Sequence, residues 1–236
     1  MTVQTLFLDA GGVLVFPNWS RVSLALARRG VSIAPDALAA AEPLAKRRLD
    51  VGGTVQATND RQRGWLYFNL VLTEAGVPLT PATDAALEEL HEYHAAENLW
   101  ETVPGDIVPA LGRLRASGLR LVVVSNANGR LRHAFTRLGL ADKVDVLFDS
   151  FEEGVEKPDP RLFRIALERS GASPETTTHV GDLYHVDVVG ARAAGLQAVL
   201  IDSANLYAEY DCPRVRSLSE LADTMIGEAR TGLRQP

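Results

Sequence analysis

The segment Leu6-Phe7-Leu8-Asp9-Ala10-Gly11-Gly12 constrains this chain more than any other. An apolar run ends in one carboxylate and then breaks at two glycines. A short run without polar alternation reads as a strand covered on both faces, as in parallel sheets. In open α/β sheets, ligands bind outside the carboxyl ends of the strands. Asp9 would stand at such an end, where a carboxylate is costly to bury without partners. The competing reading is a turn or cap aspartate in Asp-Ala-Gly-Gly.

Four further segments are short, apolar and β-branched: Leu119–Val124, Val144–Phe148, Thr177–Val180 and Gln197–Ile201, beside Thr5–Leu8. Helical patterns fall near residues 105–117, 129–138, 159–170, 187–194 and 217–228. Alternating β and α units predict an α/β fold, a doubly wound parallel sheet with helices on both faces. Between Leu8 and Leu119 lies a connection far longer than an ordinary crossover. Residues 18–98 read as four helices, Ser20–Arg29, Pro35–Leu49, Asp60–Ala75 and Thr83–Ala96, punctuated by Gly30, Gly52-Gly53 and Gly76. The expected organisation is a core of residues 1–17 and 99–236 with an all-helical insert at 18–98. The polar tail after Ile226 is expected to fray.

The balance of 24 basic against 30 acidic residues gives a net charge of −6 without basic blocks, which argues against a nucleic-acid partner. Only Lys46, Lys143 and Lys157 are lysines. Cys212 is the single cysteine, which excludes an intrachain disulfide and suits a reducing, cytoplasmic setting. The first apolar run is too short for a signal peptide, and no stretch reaches the ~18 apolar residues of a membrane span. The oligomeric state stays open, a homodimer included.

Chemistry-bearing residues follow the later strands. Ser125-Asn126 ends one of them, and its hydroxyl can donate to a phosphate oxygen or cap the next helix, a task Asn126 or Asn128 could also perform. Lys157 sits between Glu156 and Pro158-Asp159-Pro160, where the prolines set an extended approach to a helix start. The alternative is a solvated surface lysine. Asp182 ends the strand at His179-Val180, and Asp187 follows near the start of a helix. Two carboxylates facing Asp9 would make a hard oxygen site suited to Mg²⁺, unless Asp187 only caps that helix. His91, His94, His133, His179 and His185 are scattered and lack zinc-site spacing. His185, inside the Asp182–Asp187 loop, is the histidine expected nearest the site. Trp19, Lys46, Arg48, Trp65 and Tyr67 could shape a substrate pocket, although helical spacing favours a core role for Trp65 and Tyr67.

In order and spacing, the Asp9, Ser125, Lys157 and Asp182/Asp187 segments resemble the four motifs of the haloacid dehalogenase-like (HAD) hydrolases, with the insert where that family carries a helical cap. The resemblance implies a Rossmann-like core and a Mg²⁺-dependent phosphatase acting on a small phosphorylated metabolite through an aspartyl-phosphate. It implies Asp9 as nucleophile and Lys157 as the cation that orients it and neutralises the phosphoryl group. Ser125, Asn126, Lys157 and the N–H groups of Ala10 and Gly11 would bind phosphate. Asp9, the carbonyl of Gly11, Asp182 and Asp187 would hold the metal, Asp187 directly or through water.

One position departs from the pattern. Family phosphatases carry a second aspartate where this chain has Gly11, and it serves as general acid and base. Its loss implies weak activity on poor leaving groups, since such catalysis is typically worth ~10²–10⁴-fold. Family dehalogenases lack that aspartate too, but carry tyrosine there and an Asn-containing segment in place of Gly181-Asp182. Phosphonate-cleaving relatives use a cap lysine, for which Lys46 is the candidate. A binding protein with a degenerate site is a further alternative.

Overall fold

The structure, a computed structural model, describes residues 3–51 and 60–232. Five strands form at the expected segments: β1 (Thr5–Leu8), β4 (Arg120–Ser125), β5 (Val146–Asp149), β6 (Thr177–Gly181) and β7 (Gln197–Ile201). With the short β8 (Arg214–Val215) they make one parallel sheet in the order β5-β4-β1-β6-β7-β8. Flanking helices complete an α/β core: α5 (Ile107–Ala116), α6 (Leu131–Arg137), α7 (Ser150–Glu153), α8 (Pro160–Ser170), α9 (Val189–Ala193) and α10 (Leu218–Gly232). Phe7, Val122, Val124 and Phe148 pack with Leu162, Phe163 and Ala166 of α8 and Ala191 of α9. All four residues of β1 are buried, as a strand covered on both faces requires.

The chain leaves β1 for β4 and β5 on one side and returns to β6 and β7 on the other. The strand order thus reverses between β1 and β6, and the crevice at such a reversal is the default binding position. Leu8 is paired with Val180, and the N–H of Asp9 donates to the Val180 carbonyl at 2.8 Å. Asp9 and Asp182 therefore leave neighbouring strands at the same edge.

The chain divides into two compact units. One combines the stretch ending at Val15 with the stretch from Val103; the other is Phe16–Thr102. The second unit holds α1 (Trp19–Ala27), α2 (Pro35–Val51), α3 (Asp60–Glu74) and α4 (Pro81–Glu97) around Val22, Leu26, Leu38, Leu49, Val71, Leu87 and Leu90. Helix α4 starts two residues before the expected Thr83, because Thr80 and Thr83 form a reciprocal capping pair with Pro81 behind the cap. A two-strand ladder lies just outside residues 18–98, the span expected to be all-helical. Strand β2 (Phe16–Pro17) pairs antiparallel with β3 (Trp100–Thr102), a ladder too short to show alternation in sequence. Gly52-Gly53 and the terminal Arg-Gln-Pro lie outside the described residues, while α10 continues past Ile226 to Gly232.

Local capping of α6 departs from what the sequence suggests. Neither Ser125 nor Asn126 caps this helix, and Asn128 offers Arg130 only a long bond of 3.3 Å. The acceptor comes from the next strand. Buried Asp149, in register with Ser125, takes the N–H groups of Gly129 (2.9 Å) and Leu131 (3.2 Å) on Oδ2 and that of Phe151 (2.9 Å) on Oδ1. Removing one acceptor strands three N–H groups, each worth ~1–3 kcal/mol when left buried and unpaired. Asp149→Ala is expected to destabilise the protein by about 3 kcal/mol and Asp149→Asn by clearly less, read by urea unfolding. Equal stability of Asp149→Ala and wild type would remove this carboxylate from the account of the loop.

Candidate active site

The turn after β1 is closed by backbone bonds. The Ala10 carbonyl accepts from Leu14 and Val15, each at 2.9 Å, and the Gly12 N–H donates to Val15 at 2.9 Å. Gly12 has φ 74°, in the left-handed region that a side chain disfavours. None of the described bonds of this turn uses the Gly11 carbonyl. The Ala10 N–H, expected to face a phosphoryl oxygen, donates instead to Oδ1 of Asp9 at 2.7 Å.

Lys157 is fully buried, which replaces the surface-lysine alternative with a specific contact set. Its ammonium lies 3.0 Å from Oδ1 of Asp9 and 2.7 Å from Oδ1 of Asp187. Its backbone is held by Asn126, whose Oδ1 accepts from the Lys157 N–H at 2.7 Å and whose Nδ2 donates to the Lys157 carbonyl at 2.9 Å. Both ends of that amide are thereby engaged. Asn126, which the sequence reading grouped with the phosphate-binding residues, is here a clamp on the lysine. Ser125 is buried on the adjacent strand, its hydroxyl bound only weakly to the Asn126 carbonyl at 3.4 Å.

Asp187 lies in a single π-helical turn, Tyr184–Val188, ahead of α9. It does not cap the helix. Oδ2 accepts from the N–H groups of Asp182 (3.1 Å) and Leu183 (3.0 Å); Oδ1 accepts from Lys157 and faces His179 Nε2 at 2.9 Å. A carboxylate offers about four lone-pair positions; three take the Asp182, Leu183 and Lys157 donors, and the fourth faces the His179 ring nitrogen. Direct metal ligation by Asp187, one of the two sequence expectations, would cost one of those bonds; support of Asp182 through its N–H remains. Asp187 reaches this place because position 181 has no side chain. A Cβ there would lie 2.1 Å from the Asp187 Cγ.

Histidine 179, not His185, is the histidine of this network. It is fully buried on β6, on the same face as Gly181. The signal was available in the sequence as His two residues before the glycine, but an isolated histidine inside a buried strand reads as core. His185 instead contacts the rings of Tyr184 and Tyr210.

Among the described residues, Asp9, Asp182 and Asp187 bring one oxygen each to within 4.8 Å of one another. Burial pushes the Asp9 carboxyl up to about 6; Lys157 opposes this, and the charges of Asp187 and Asp182 add to it. Burial would also raise Asp187, but the Lys157 ammonium and the His179 bond outweigh it and hold that carboxyl well below the usual range. Burial would lower Lys157, and Asp187 and then Asp9 reverse this, so the lysine stays charged. Burial lowers His179 despite Asp187, so its ring is neutral near pH 7. Three carboxylates thus face one ammonium, leaving excess negative charge that a divalent cation with oxygen preference fits.

In the helical unit, the candidate pocket residues are engaged locally. Tyr67 is buried and donates to Glu42 at 2.8 Å, and Lys46 pairs with the same carboxylate at 2.8 Å. Arg48 pairs with Glu74, and Trp19 joins the apolar core. The side chain of Trp65 lies outside the described residues. His94 accepts the Leu99 N–H on Nδ1 at 3.1 Å beyond the end of α4. No described helix is long and apolar enough to cross a membrane.

Fold and site together define a hydrolase core with its acidic residues at a sheet reversal. The chain belongs to the haloacid dehalogenase-like hydrolases, whose family profile matches residues 3–195. Haloacid dehalogenase-like hydrolase domain-containing protein 3 of Mus musculus is 38% identical over 127 residues, 54% of this chain and 50% of that protein. The phosphoserine phosphatase of Thermus thermophilus is 36% identical over 120 residues, 50% of this chain and 48% of the relative. The matched part of the chain spans about half the length of these curated relatives. Among solved structures, the HAD-hydrolase YfnB of Bacillus subtilis shares the fold with a TM-score of 0.64 at 18% identity, covering 95% of this chain and 99% of that one.

The Asp9 shift has a consequence for stability. A carboxyl whose folded value lies near 6 instead of 3.8 binds its proton more tightly when folded, so stability falls as pH rises through that window. Above it, ionised Asp9 costs the metal-free protein on the order of 3 kcal/mol. Asp9→Asn should therefore melt higher than wild type at pH 7.5 in chelator, with the gap shrinking by about half at pH 5. A variant less stable than wild type at pH 7.5 would contradict it.

Proposed function

We propose that this chain is a Mg²⁺-dependent phosphatase of a small phosphorylated metabolite, working through a phosphoryl group carried on Asp9. The observation that carries this reading is the buried Lys157 ammonium bonded to both Asp9 and Asp187 beside Asp182. Displacement of halide from carbon has no use for a cation site at the nucleophile, whereas transfer of a charged phosphoryl group does. Curated relatives named as phosphatases support the same reading, and the Bacillus fold neighbour is described as bound to magnesium.

Oδ1 of Asp9 holds Lys157 and the Ala10 N–H, which leaves Oδ2 to attack phosphorus. The bond from phosphorus to the leaving oxygen breaks, and the electron pair departs with that oxygen. Water then attacks the phosphorus, the bond to Asp9 breaks, and phosphate is released with the carboxylate restored. Lys157 stays protonated throughout and fixes the direction of Asp9. The Ser125 hydroxyl is a donor for a phosphoryl oxygen. Mg²⁺, when bound, would be held by Asp9, Asp182 and the Gly11 carbonyl and would neutralise phosphoryl charge.

This account demands that Asp9→Asn abolish turnover while the protein stays folded, and that excess chelator abolish it as well. Turnover of a phosphate ester that survives either treatment overturns it, and full activity on a chloroacid in chelator would point to dehalogenation. Gly11 adds a sharper expectation. With no carboxyl at this position, rates should fall steeply as the leaving group becomes more basic. Gly11→Asp should then raise alkyl phosphates more than aryl phosphates, because only the former need a proton. A flat dependence in the wild type would mean that another group supplies the proton.

A further inference from the structure

We propose that His179 is a positioning residue: it donates its Nε2 proton to Oδ1 of Asp187 and so fixes the Lys157 ammonium against Asp9. The proposal rests on the reading of Asp9 as nucleophile. Its geometry is a chain of polar contacts that starts at a fully buried ring and ends at Asp9. Nε2 of His179 is 2.9 Å from Oδ1 of Asp187, that oxygen is 2.7 Å from Lys157 Nζ, and Nζ is 3.0 Å from Asp9 Oδ1.

The tautomer follows from what surrounds the ring. Nδ1 is buried without a hydrogen-bond partner, and the edge of the ring meets Phe163 at 4.8 Å between centroids, 76° between planes. A neutral imidazole carries one N–H and one bare nitrogen. A proton on Nδ1 would bury an unpaired donor and turn the Nε2 lone pair toward the Asp187 oxygen. A proton on Nε2 makes a charge-assisted bond and leaves only the bare nitrogen unpaired. The second arrangement wins on both counts.

With that proton in place all four acceptor positions of Asp187 are filled, and the carboxylate cannot rotate without breaking a bond. Removing the His179 donor reopens one position on Oδ1. The lysine, with three N–H groups on a flexible stem, then turns toward Asp187 and away from Asp9. Gly181 completes the device: any side chain there would displace Asp187 from beneath His179's reach.

A matched pair of variants tests this. His179→Gln keeps an N–H donor near the Nε2 position, and His179→Met has similar length without one. His179→Met should lose about tenfold in kcat with KM nearly unchanged, the scale typical of partners that orient a site residue. His179→Gln should recover most of that loss. Equal kcat for the two variants, whether both impaired or both unimpaired, would overturn the proposal, since a space-filling role does not distinguish them. If either variant fails to melt cooperatively, ¹⁵N NMR of the wild-type histidines decides without substitution. The proposal expects a neutral His179 with its proton on Nε2, and a proton on Nδ1 overturns it. Lack of phosphatase turnover in the wild type would instead refute the reading of function, while the NMR outcome would still decide the tautomer.

Discussion

The buried ammonium of Lys157 is the interaction on which the site depends. A single lysine holds together two carboxylates that arrive from different parts of the sheet, Asp9 after β1 and Asp187 beyond β6. Isolated, any one of the three charges would be expensive in this interior. Together they are tolerable because each has hydrogen-bond partners. Asp187 has four, the lysine has two anions, and Asp9, the least satisfied, responds by holding its proton to higher pH. The group with the weakest compensation is the one proposed to react.

The fold makes this possible by bringing remote segments to one edge. Reversal of strand order between β1 and β6 puts Asp9 and Asp182 side by side. Asn126, at the end of β4, then reaches across to grip the backbone of Lys157 with two bonds. Asp149, one strand further out, orders the loop that follows Asn126. The ends of β4 and β5 thus each supply one polar side chain that fixes a neighbouring loop.

Much of this was legible in the sequence, for identifiable reasons. Parallel strands buried on both faces are conspicuous as apolar runs, and Asp9, Ser125 and Asp182 stand at strand ends, with Lys157 in the loop after α7. Elements of two to four residues, β2, β3, β8 and α7, carry too little periodicity to read. Roles set by pairing across long separations were hidden as well. Nothing local in Asn126 shows that its amide closes on a backbone 31 residues away. Nothing local in Asp187 shows that its acceptor positions are already filled. His179 was hidden by its setting, a lone histidine inside a buried strand, although its alternation with Gly181 on one face was the usable clue.

The short ladder of Phe16–Pro17 with Trp100–Thr102 carries a consequence for how this chain is built. It fastens the first residues of the helical unit to its last, with Asn18 and Arg21 both bonded to Glu101 just inside. The two covalent links to the core, at Val15 and Val103, therefore leave and return side by side. Closing a long loop is entropically costly when the loop is slack, and this one is closed by its own hydrogen bonds. The whole helical unit thus joins the rest of the chain through one pair of adjacent segments. Such a unit can be lengthened, shortened or exchanged without moving the strand that carries Asp9, so Asp9 and the module beside it in sequence are free to diverge independently.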